Sequence, residues 1–270
     1  MAGSHEERTL EGVTVLVTRP VHQADRLCKL IELRGGRARR LPALEILDPE
    51  DSTIPDEMIG QLEHFDIIIF VSVNAVRAGM QRILSRRDMP RNLQIATVGA
   101  GSAKELERFG LSVSIRPEHT YNSEALLALD EMQQVAGKQI LIFRGNGGRE
   151  YLRKSLEARG AKVRYAEVYR RVRPDVDPDD LMPLWKSGAV DIITVSSNET
   201  LMNLFDMAGK NGQPLLCRLP LVVVSKRAAV LAARLGFRLP AQVAGNASDD
   251  AVLAALESWY QSDARAHESI

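Results

Sequence analysis

Hydrophobic residues along this chain follow two alternating patterns. Short apolar runs without helical spacing, typical of buried strands, occur at residues 13–17, 66–72, 95–99, 139–143, 191–197 and 221–225. Between them, apolar positions recur at helical spacing, as at residues 24–33 and 151–156. This regular alternation of strand and helix predicts an α/β fold in which helices cover parallel sheets on both faces.

The most informative stretch is residues 139–171. The apolar run QILIF at 139–143 is followed by the glycine-rich, basic RGNGGR at 144–149, and helical spacing from residue 150 ends at Gly160. Alternation at residues 163–170 then predicts a second strand. The unit places Arg144, Arg149 and free backbone N–H groups at the carboxyl end of a strand, beside a helix N-terminus. Such a corner suits an anion.

The same order of patterns occurs twice along the chain. Residues 13–44 also read as strand, turn, helix and strand, and Arg19 corresponds to Arg144 at a separation of 125 positions. DIIIFVS at 66–72 and DIITVSS at 191–197 have the same separation. The sequence therefore predicts an internal duplication.

In parallel α/β folds, ligands bind beyond the carboxyl ends of the strands. The loops there are rich in small, hydroxyl, amide and cationic side chains, which predicts a binding cleft free of acidic side chains. For each arginine alone the alternative is a solvated loop charge. For serines it is a helix N-cap, whose side chain accepts a backbone N–H of the first turn. The candidates for contact with an anionic ligand are Arg19, Ser72, Asn74, Ser102, Arg144, Arg149, Ser197, Asn198, Ser225 and Arg227.

The composition is that of an ordinary globular protein. The length of 270 residues suits about two domains, and 35 basic residues balance 35 acidic ones, so no overall charge favours nucleic acid or an anionic membrane. No apolar run is long enough to span a bilayer and residues 1–11 lack a hydrophobic signal core, which predicts a cytoplasmic protein. Cys28 and Cys217 lack metal or redox spacing, so we expect inert, buried thiols.

Several function classes are disfavoured by their motifs. GAGSAK at 99–104 begins like a dinucleotide fingerprint, but Lys104 occupies the third glycine position and no acidic residue follows at the expected spacing. No phosphate-binding P-loop motif occurs, and the candidate serines lack a nucleophile-elbow motif. The five histidines are scattered, so no metal site is predicted.

Seven short motifs, in order, carry a resemblance to a known family. They are VTRP at 17–20, FVSVNAV at 70–76, VGxxSA at 98–103, NSExL at 122–126, RGxxGR at 144–149, VYR at 168–170 and ASxxA at 247–251. Over residues 12–258 the chain resembles the uroporphyrinogen-III synthase family, whose members close the linear hydroxymethylbilane into the type III macrocycle of tetrapyrrole and haem biosynthesis.

The resemblance implies two flavodoxin-like, doubly wound lobes joined by a two-stranded β-ladder, with each repeat lending its first βα unit to the other lobe. The expected boundaries are 1–40 with 174–262 for lobe 1, 49–164 for lobe 2, 41–48 with 165–173 for the ladder, and 263–270 for a polar tail. Two connections between the lobes would allow a constrained hinge motion.

The resemblance also implies a monomeric lyase without cofactor or metal, whose partners are a linear tetrapyrrole substrate and, transiently, the preceding pathway enzyme. Loss of the substrate hydroxyl leaves an azafulvenium, which ring D attacks to form a spiro-pyrrolenine. This intermediate fragments and recloses with ring D inverted. The protein chiefly orients the chain, and eight substrate carboxylates match the cationic and N–H donors of the loops.

Tyr169 matches the tyrosine for which the family proposes assistance to hydroxyl departure, and its alternative is a packed strand aromatic. Two positions depart from the family pattern. Ser102 stands where threonine is frequent, and Ala228 ends a segment that commonly ends in threonine. Since Ala228 cannot donate a hydrogen bond, contact there would pass to Ser225, to Arg227 or to backbone N–H groups. A function of another class also remains open, a non-catalytic two-lobed protein that binds or senses a small anion. A nucleotide-dependent enzyme ranks third.

Overall fold

A computed structural model describes the backbone of residues 8–268 and the side chains of residues 8–262. Residues 1–7 and 269–270, which belong to the predicted lobe 1 and the predicted polar tail, lie outside the described residues. The chain divides into two compact units. Unit 1 combines the N-terminal part, up to Glu45, with the part from Val172 onward, and unit 2 is Ile46–Arg171.

The elements alternate between strand and helix along most of the chain. The first half contains β1 (Thr14–Val17), α1 (Val21–Leu33), β2 (Arg37–Arg40), β3 (Glu45–Leu47), α2 (Thr53–Gly60), a 3-10 turn (Leu62–His64), β4 (Ile67–Phe70), α3 (Val73–Leu84), β5 (Gln94–Thr97), α4 (Ala100–Glu107), α5 (Ser123–Leu127) and α6 (Asp130–Gln133). The second half contains β6 (Gln139–Gly145), α7 (Tyr151–Ala158), β7 (Lys162–Val172), α8 (Pro178–Lys186), β8 (Ile192–Val195), α9 (Asn198–Met207), α10 (Gly209–Leu216), β9 (Leu221–Val223), α11 (Lys226–Leu235), β10 (Gln242–Val243) and α12 (Asp249–Glu268).

Unit 1 is built on a five-stranded sheet in the order β10-β9-β8-β1-β2. β1 runs parallel to both β2 and β8, and β9 runs parallel to both β8 and β10. Side chains alternate between two buried clusters: Leu16 and Ile193 lie in one, Val15 and Ile192 in the other. The sheet is therefore covered on both faces, as the apolar runs predict.

Unit 2 has a five-stranded sheet in the order β3-β7-β6-β4-β5, in which β4 runs parallel to β5 and β6, and β6 runs parallel to β7. Its strands also alternate between two buried clusters. Phe70 and Phe143 stack with ring centroids 4.7 Å apart, beneath Gly79 of α3. A Cβ at Gly79 would lie 2.8 Å from Phe143 Cδ1, so glycine allows α3 to approach the sheet closely.

Both units are thus α/β with largely parallel sheets, which confirms the predicted fold class at this level. Some boundaries differ from the prediction. β2 ends at Arg40 and not at residue 44, because Pro42 has no N–H to continue the ladder, although Leu41 and Ala43 still donate to the carbonyls of Val17 and Thr18. The predicted polar tail at 263–270 is helical as far as Glu268, in α12.

In the part of the chain that the structure describes, no helix combines the length and the apolar character needed to cross a membrane.

Candidate functional site

Unit 2 contains a cavity of about 370 Å³ where β4, β5, β6 and β7 approach their carboxyl ends. Four of the predicted site residues line it, Ser72, Arg144, Arg149 and Tyr169. Three separate stretches of sequence therefore converge here, since Ser72 follows β4, the two arginines frame the loop after β6, and Tyr169 lies near the end of β7. The other walls include Asn122, Ser123, Glu124, Tyr165 and Arg171.

The hydroxyl groups of Tyr169 and Ser72 lie 3.2 Å apart, at hydrogen-bonding distance. Ser72 is the N-cap of α3, and its Oγ accepts the backbone N–H of Ala75 at 3.1 Å. The serine is thereby fixed by the start of a helix. Tyr169 is only 7% exposed, packed among the core residues of unit 2. The ring is therefore mostly part of the hydrophobic core, while the residue also borders the cavity.

The buried Arg144 guanidinium has partners at Nη1, at Nε and on one face of its plane. Nη1 donates to Glu150 Oε1 at 3.0 Å, Nε donates to the Gly145 carbonyl at 3.2 Å, and Cζ lies 4.4 Å from the centre of the Tyr165 ring. The Tyr165 hydroxyl donates to the second Glu150 oxygen at 3.1 Å, and Glu167 lies 3.8 Å from Nε. Burial raises the pKa of the Tyr165 phenol, an effect that the Arg144 charge opposes. Tyr165 thus remains a protonated donor at neutral pH.

Arg149 differs from Arg144 in being open to solvent. Its side chain is 75% exposed, and its single ion pair, Nη1 to Glu124 Oε1 at 3.3 Å, joins two exposed groups. Such pairs contribute about 0–1 kcal/mol. Within residues 8–268, the backbone N–H groups of Gly147, Gly148 and Arg149 have no hydrogen-bond acceptor. The loop therefore offers one accessible cation and three unused donors, the combination that a carboxylate needs.

The prediction of a cleft free of acidic side chains is wrong for this cavity. Glu124 lines it, and Glu150 and Glu167 lie against Arg144. The prediction was based on the loops after the strands. It did not include the start of α5, where Glu124 lies, or the start of α7, where Glu150 is the N-cap. These carboxylates offset much of the positive charge that the two arginines bring.

Two further candidates of unit 2 do not border the cavity. Asn74 lies in the first turn of α3. Ser102 lies inside α4 and is 4% exposed, while Gly99 takes the N-cap position. The N-cap alternative is therefore wrong for Ser102, although it is confirmed for Ser72.

The candidates of unit 1 lie at the carboxyl ends of β1, β8 and β9. Ser197 and Ser225 are the N-caps of α9 and α11, with Asn198 and Arg227 in the first turns of the same helices. Arg19 is 9% exposed, pairs through Nη1 with Asp249 at the start of α12, and donates through Nη2 to the carbonyl of Ala247 at 2.9 Å. Arg19 therefore joins β1 to α12.

The sequence interpretation did not select Glu150, Tyr165 or Asn122 as site residues. Asn122 is the N-cap of α5, with its Oδ1 accepting the Ala125 N–H at 2.7 Å, and the NSExL motif marked it. Tyr165 shares the predicted strand with Tyr169, four residues earlier, but no motif distinguished it from a packed aromatic. No sequence pattern indicated Glu150 as a site residue, apart from its position directly after the glycine-rich loop.

Both cysteines are buried, as expected. Burial raises the pKa of the Cys28 and Cys217 thiols, which disfavours the reactive thiolate.

Comparison with known proteins relates most of the chain to one family. A model of the uroporphyrinogen-III synthase HemD family matches residues 25–254. The chain is 32% identical to the uroporphyrinogen-III synthase of Escherichia coli (strain K12) over 249 residues, covering 91% of this chain and 100% of that protein. It is 34% identical to the enzyme of Salmonella typhimurium over 250 residues, again covering 91% and 100%.

Solved structures show the same fold at lower sequence identity. A mutant uroporphyrinogen III synthase from the extremely thermophilic bacterium Thermus thermophilus aligns with a TM-score of 0.63 at 17% identity, covering 94% of this chain and 100% of that one. The Helicobacter pylori 26695 protein aligns with a TM-score of 0.61 at 16% identity, covering 92% and 99%. The match extends across both units, so this chain belongs to the uroporphyrinogen-III synthase family.

Proposed function

We infer that this protein cyclises hydroxymethylbilane to uroporphyrinogen III, with inversion of ring D and loss of water, in tetrapyrrole biosynthesis. The observation that carries the inference is the family match, which extends over most of the chain and over the full length of the Escherichia coli and Salmonella typhimurium relatives. The unit 2 cavity supports it, because a tyrosine hydroxyl and an exposed arginine face the same space.

We propose that the cavity receives the end of the substrate that carries the hydroxymethyl group. Its volume of about 370 Å³ lies near the lower end of the usual range for ligand pockets, so it suits one part of a linear tetrapyrrole and not the whole molecule. The Tyr169 hydroxyl would donate to the departing oxygen while Ser72 Oγ orients it. The C–O bond breaks as a proton passes from the Tyr169 hydroxyl to the oxygen, which leaves as water, and the positive charge stays on the azafulvenium that ring D attacks. The proton that ring D releases on final closure returns to the phenolate.

The carboxylates of the substrate are proposed to meet Arg149 and the backbone N–H groups of residues 147–149. Arg144 is better suited to supporting the loop, because Glu150 already occupies its Nη1 and its guanidinium lies over Tyr165. For Arg19, Asn74, Ser102, Ser197, Asn198, Ser225 and Arg227, contact with substrate stays a prediction from the sequence.

We further propose that the two units derive from a duplication with exchange of the first βα unit. The strand orders support this proposal, because the strands of unit 1 match those of unit 2 at a separation of 125 or 126 positions. In the same order across each sheet, β9, β8, β1 and β2 of unit 1 correspond to β5, β4, β6 and β7 of unit 2. β1 belongs to the first repeat but pairs with β8 of the second, and β6 of the second pairs with β4 of the first. The adjacency of β3 and β7 supports the proposed ladder. The lobe boundaries, the monomeric state, the cytoplasmic location and the contact with the preceding enzyme stay predictions.

A coupled assay tests the function. Hydroxymethylbilane is generated freshly and its products are oxidised and separated by isomer, because the free substrate closes spontaneously to the wrong isomer. We expect the type III isomer to predominate with the protein present. A product pool no richer in type III than the no-enzyme control would refute the function, and tight retention of substrate without turnover would indicate an anion-binding protein instead.

A further inference from the structure

The pairing of β6 with β7 changes register beside Tyr169. Arg144 pairs with Glu167, but the next residue of β6, Gly145, pairs with Tyr169, so Val168 has no partner of its own. One extra residue on one strand is a β-bulge, which bends the strand and re-aims the side chains that follow it.

The bulge changes the side of the sheet on which Tyr169 packs. Ala166 and Val168 belong to one core cluster of unit 2, while Val163 and Tyr165 pack with the other. Regular alternation would place Tyr169 with Tyr165, yet Tyr169 packs in the cluster that contains Val168. The bulge therefore brings the phenol ring across the strand pair and over residue 145.

The ring occupies the space that a side chain at position 145 would need. A Cβ there would lie 2.5 Å from Cε2 and 2.6 Å from Cζ of Tyr169, distances that real Cβ atoms essentially never show, and 3.0 Å from Cδ2. The backbone itself does not require glycine, because Gly145 is absent from the positive-φ residues of the chain. Contact with the Tyr169 ring is thus the reason for glycine at this position.

Asn146 prevents the backbone from moving away from such a clash. Its N–H donates to the carbonyl of Tyr169 at 2.9 Å, and its Oδ1 accepts the N–H of Arg171 at 2.9 Å. The segment after Gly145 is therefore tied to β7 by two hydrogen bonds, at the carbonyl of Tyr169 and at the N–H of Arg171. A methyl group at position 145 would displace the ring, and with it the hydroxyl that lies 3.2 Å from Ser72.

We propose that Gly145 is a positioning residue for the cyclisation, acting through Tyr169: the missing side chain at 145 sets the place of the phenol ring and so of the hydroxyl in the cavity. The proposal rests on the proposed function and on the role given there to Tyr169.

The kinetic test compares Gly145→Ala with Gly60→Ala, whose Cβ would meet nothing within 4 Å in the same unit. We expect Gly145→Ala to lower kcat at least as far as Tyr169→Phe does, with KM changed less than about threefold, and Gly60→Ala to match the wild type. In the Tyr169→Phe background, Gly145→Ala should lower kcat by less than about twofold further, since the misplaced hydroxyl is already absent. The proposal would be overturned if Gly145→Ala lowered kcat by the same factor in the wild-type and Tyr169→Phe backgrounds, or if Gly145→Ala alone kept the kcat of the wild type.

A stability test needs no activity and remains decisive if Gly145→Ala folds poorly. Gly145→Ala is made with Tyr169 present and in the Tyr169→Leu background, and thermal unfolding is followed by circular dichroism. We expect Gly145→Ala to lower Tm by about 3 °C or more with the ring present, and by less than about 1 °C without it. Equal losses in both backgrounds would show that the ring is not what the methyl group meets. Should the isomer assay fail while this coupling holds, the steric relation stands and only the proposed function falls.

Discussion

At the scale of single residues, the Tyr169 hydroxyl is the group whose loss separates catalysis from folding most directly. Tyr169→Phe keeps the buried ring, and Ser72 Oγ still accepts the Ala75 N–H, so the fold should lose no more than about 1 kcal/mol. We expect kcat to fall about tenfold to a hundredfold, because the departing hydroxyl loses its donor. Turnover of freshly generated hydroxymethylbilane and thermal unfolding are the two measurements, and a kcat equal to that of the wild type would remove Tyr169 from the mechanism.

The exposed Arg149 should affect substrate binding more than turnover. Arg149→Gln removes the accessible cation of the cavity, so we expect KM to rise about three- to tenfold, corresponding to about 1 kcal/mol, with kcat changed less than about twofold. The difference from wild type should shrink as salt is added. Arg86→Gln is the matched control, since Arg86 is a partly exposed arginine paired with Asp56 outside the cavity. Equal KM values for the two variants would count against a substrate contact at Arg149.

The sequence predicted four of the residues that line the unit 2 cavity, but not what each of them would contact. Ser72, Arg144 and Arg149 were found because the carboxyl ends of parallel strands share one edge, whereas Tyr169 was found only through the resemblance to the family. In the sequence Arg144 and Arg149 were equivalent candidates for contact with an anion. Only the structure showed that Arg144 is hydrogen-bonded to Glu150. The partners of distant groups were also beyond sequence patterns, as for Arg19 and Asp249, which are 230 positions apart.

At the scale of secondary structure elements, the coupling of α3 to α4 depends on one nearly buried carboxylate. Arg77 of α3 donates to Glu105 of α4 at 2.7 Å, and Arg108 donates to the same carboxylate at 3.0 Å. Hydrogen bonding from Arg77 holds the pKa of Glu105 below its ordinary value, although burial opposes it. A carboxylate whose pKa is lower in the folded state stabilises the fold above its unfolded pKa, and this contribution is lost as pH falls through the folded value.

Glu105→Gln should therefore destabilise the protein at neutral pH by about 1–3 kcal/mol, and the difference from wild type should narrow as the pH falls below the ordinary range of a glutamate. Urea unfolding at a series of pH values measures this. Glu107→Gln, in the exposed part of the same helix, is the control and should follow the wild type throughout. A destabilisation that is constant across the series would mean that the charge of Glu105 contributes nothing.

Strands and helices were predictable because buried parallel strands read as apolar runs, and the helices between them show regular spacing. The β-bulge at Val168 was not predictable in this way. Period-two alternation through residues 163–170 placed Tyr169 on the face of Tyr165, and the structure packs it on the other side. A single unpaired residue does not change the hydropathy pattern, since an apolar residue such as Val168 fits both a regular strand and a bulge.

At the scale of the whole molecule, the two units differ in how their strands are distributed along the chain. Unit 2 is continuous in sequence, and unit 1 is formed by two separate parts of the chain. A fragment spanning 44–172 contains all five strands of the unit 2 sheet and both of its core clusters. A fragment spanning 172–262 lacks β1, which lies between β8 and β2 in the unit 1 sheet, and Val15 and Val17, which belong to its core.

We expect the 44–172 fragment to unfold cooperatively on its own and the 172–262 fragment to show no cooperative transition until a peptide spanning 8–45 is added. Far-ultraviolet circular dichroism with thermal unfolding distinguishes the cases. Independent folding of the 172–262 fragment would show that β1 is dispensable to unit 1.

The position of β1 inside the unit 1 sheet, between β8 and β2, has a consequence for synthesis of the protein. Among the described strands β1 is translated before all others, yet its neighbour β8 and the strands beyond it, β9 and β10, are translated only after the strands of unit 2. Unit 2 has all its strands by Val172, so it can assemble while the amino-terminal segment, with the apolar Val15, Leu16 and Val17, still lacks its partners. During that interval the nascent chain exposes a strand suited to a protein interior, and it is then most open to chaperones and to aggregation.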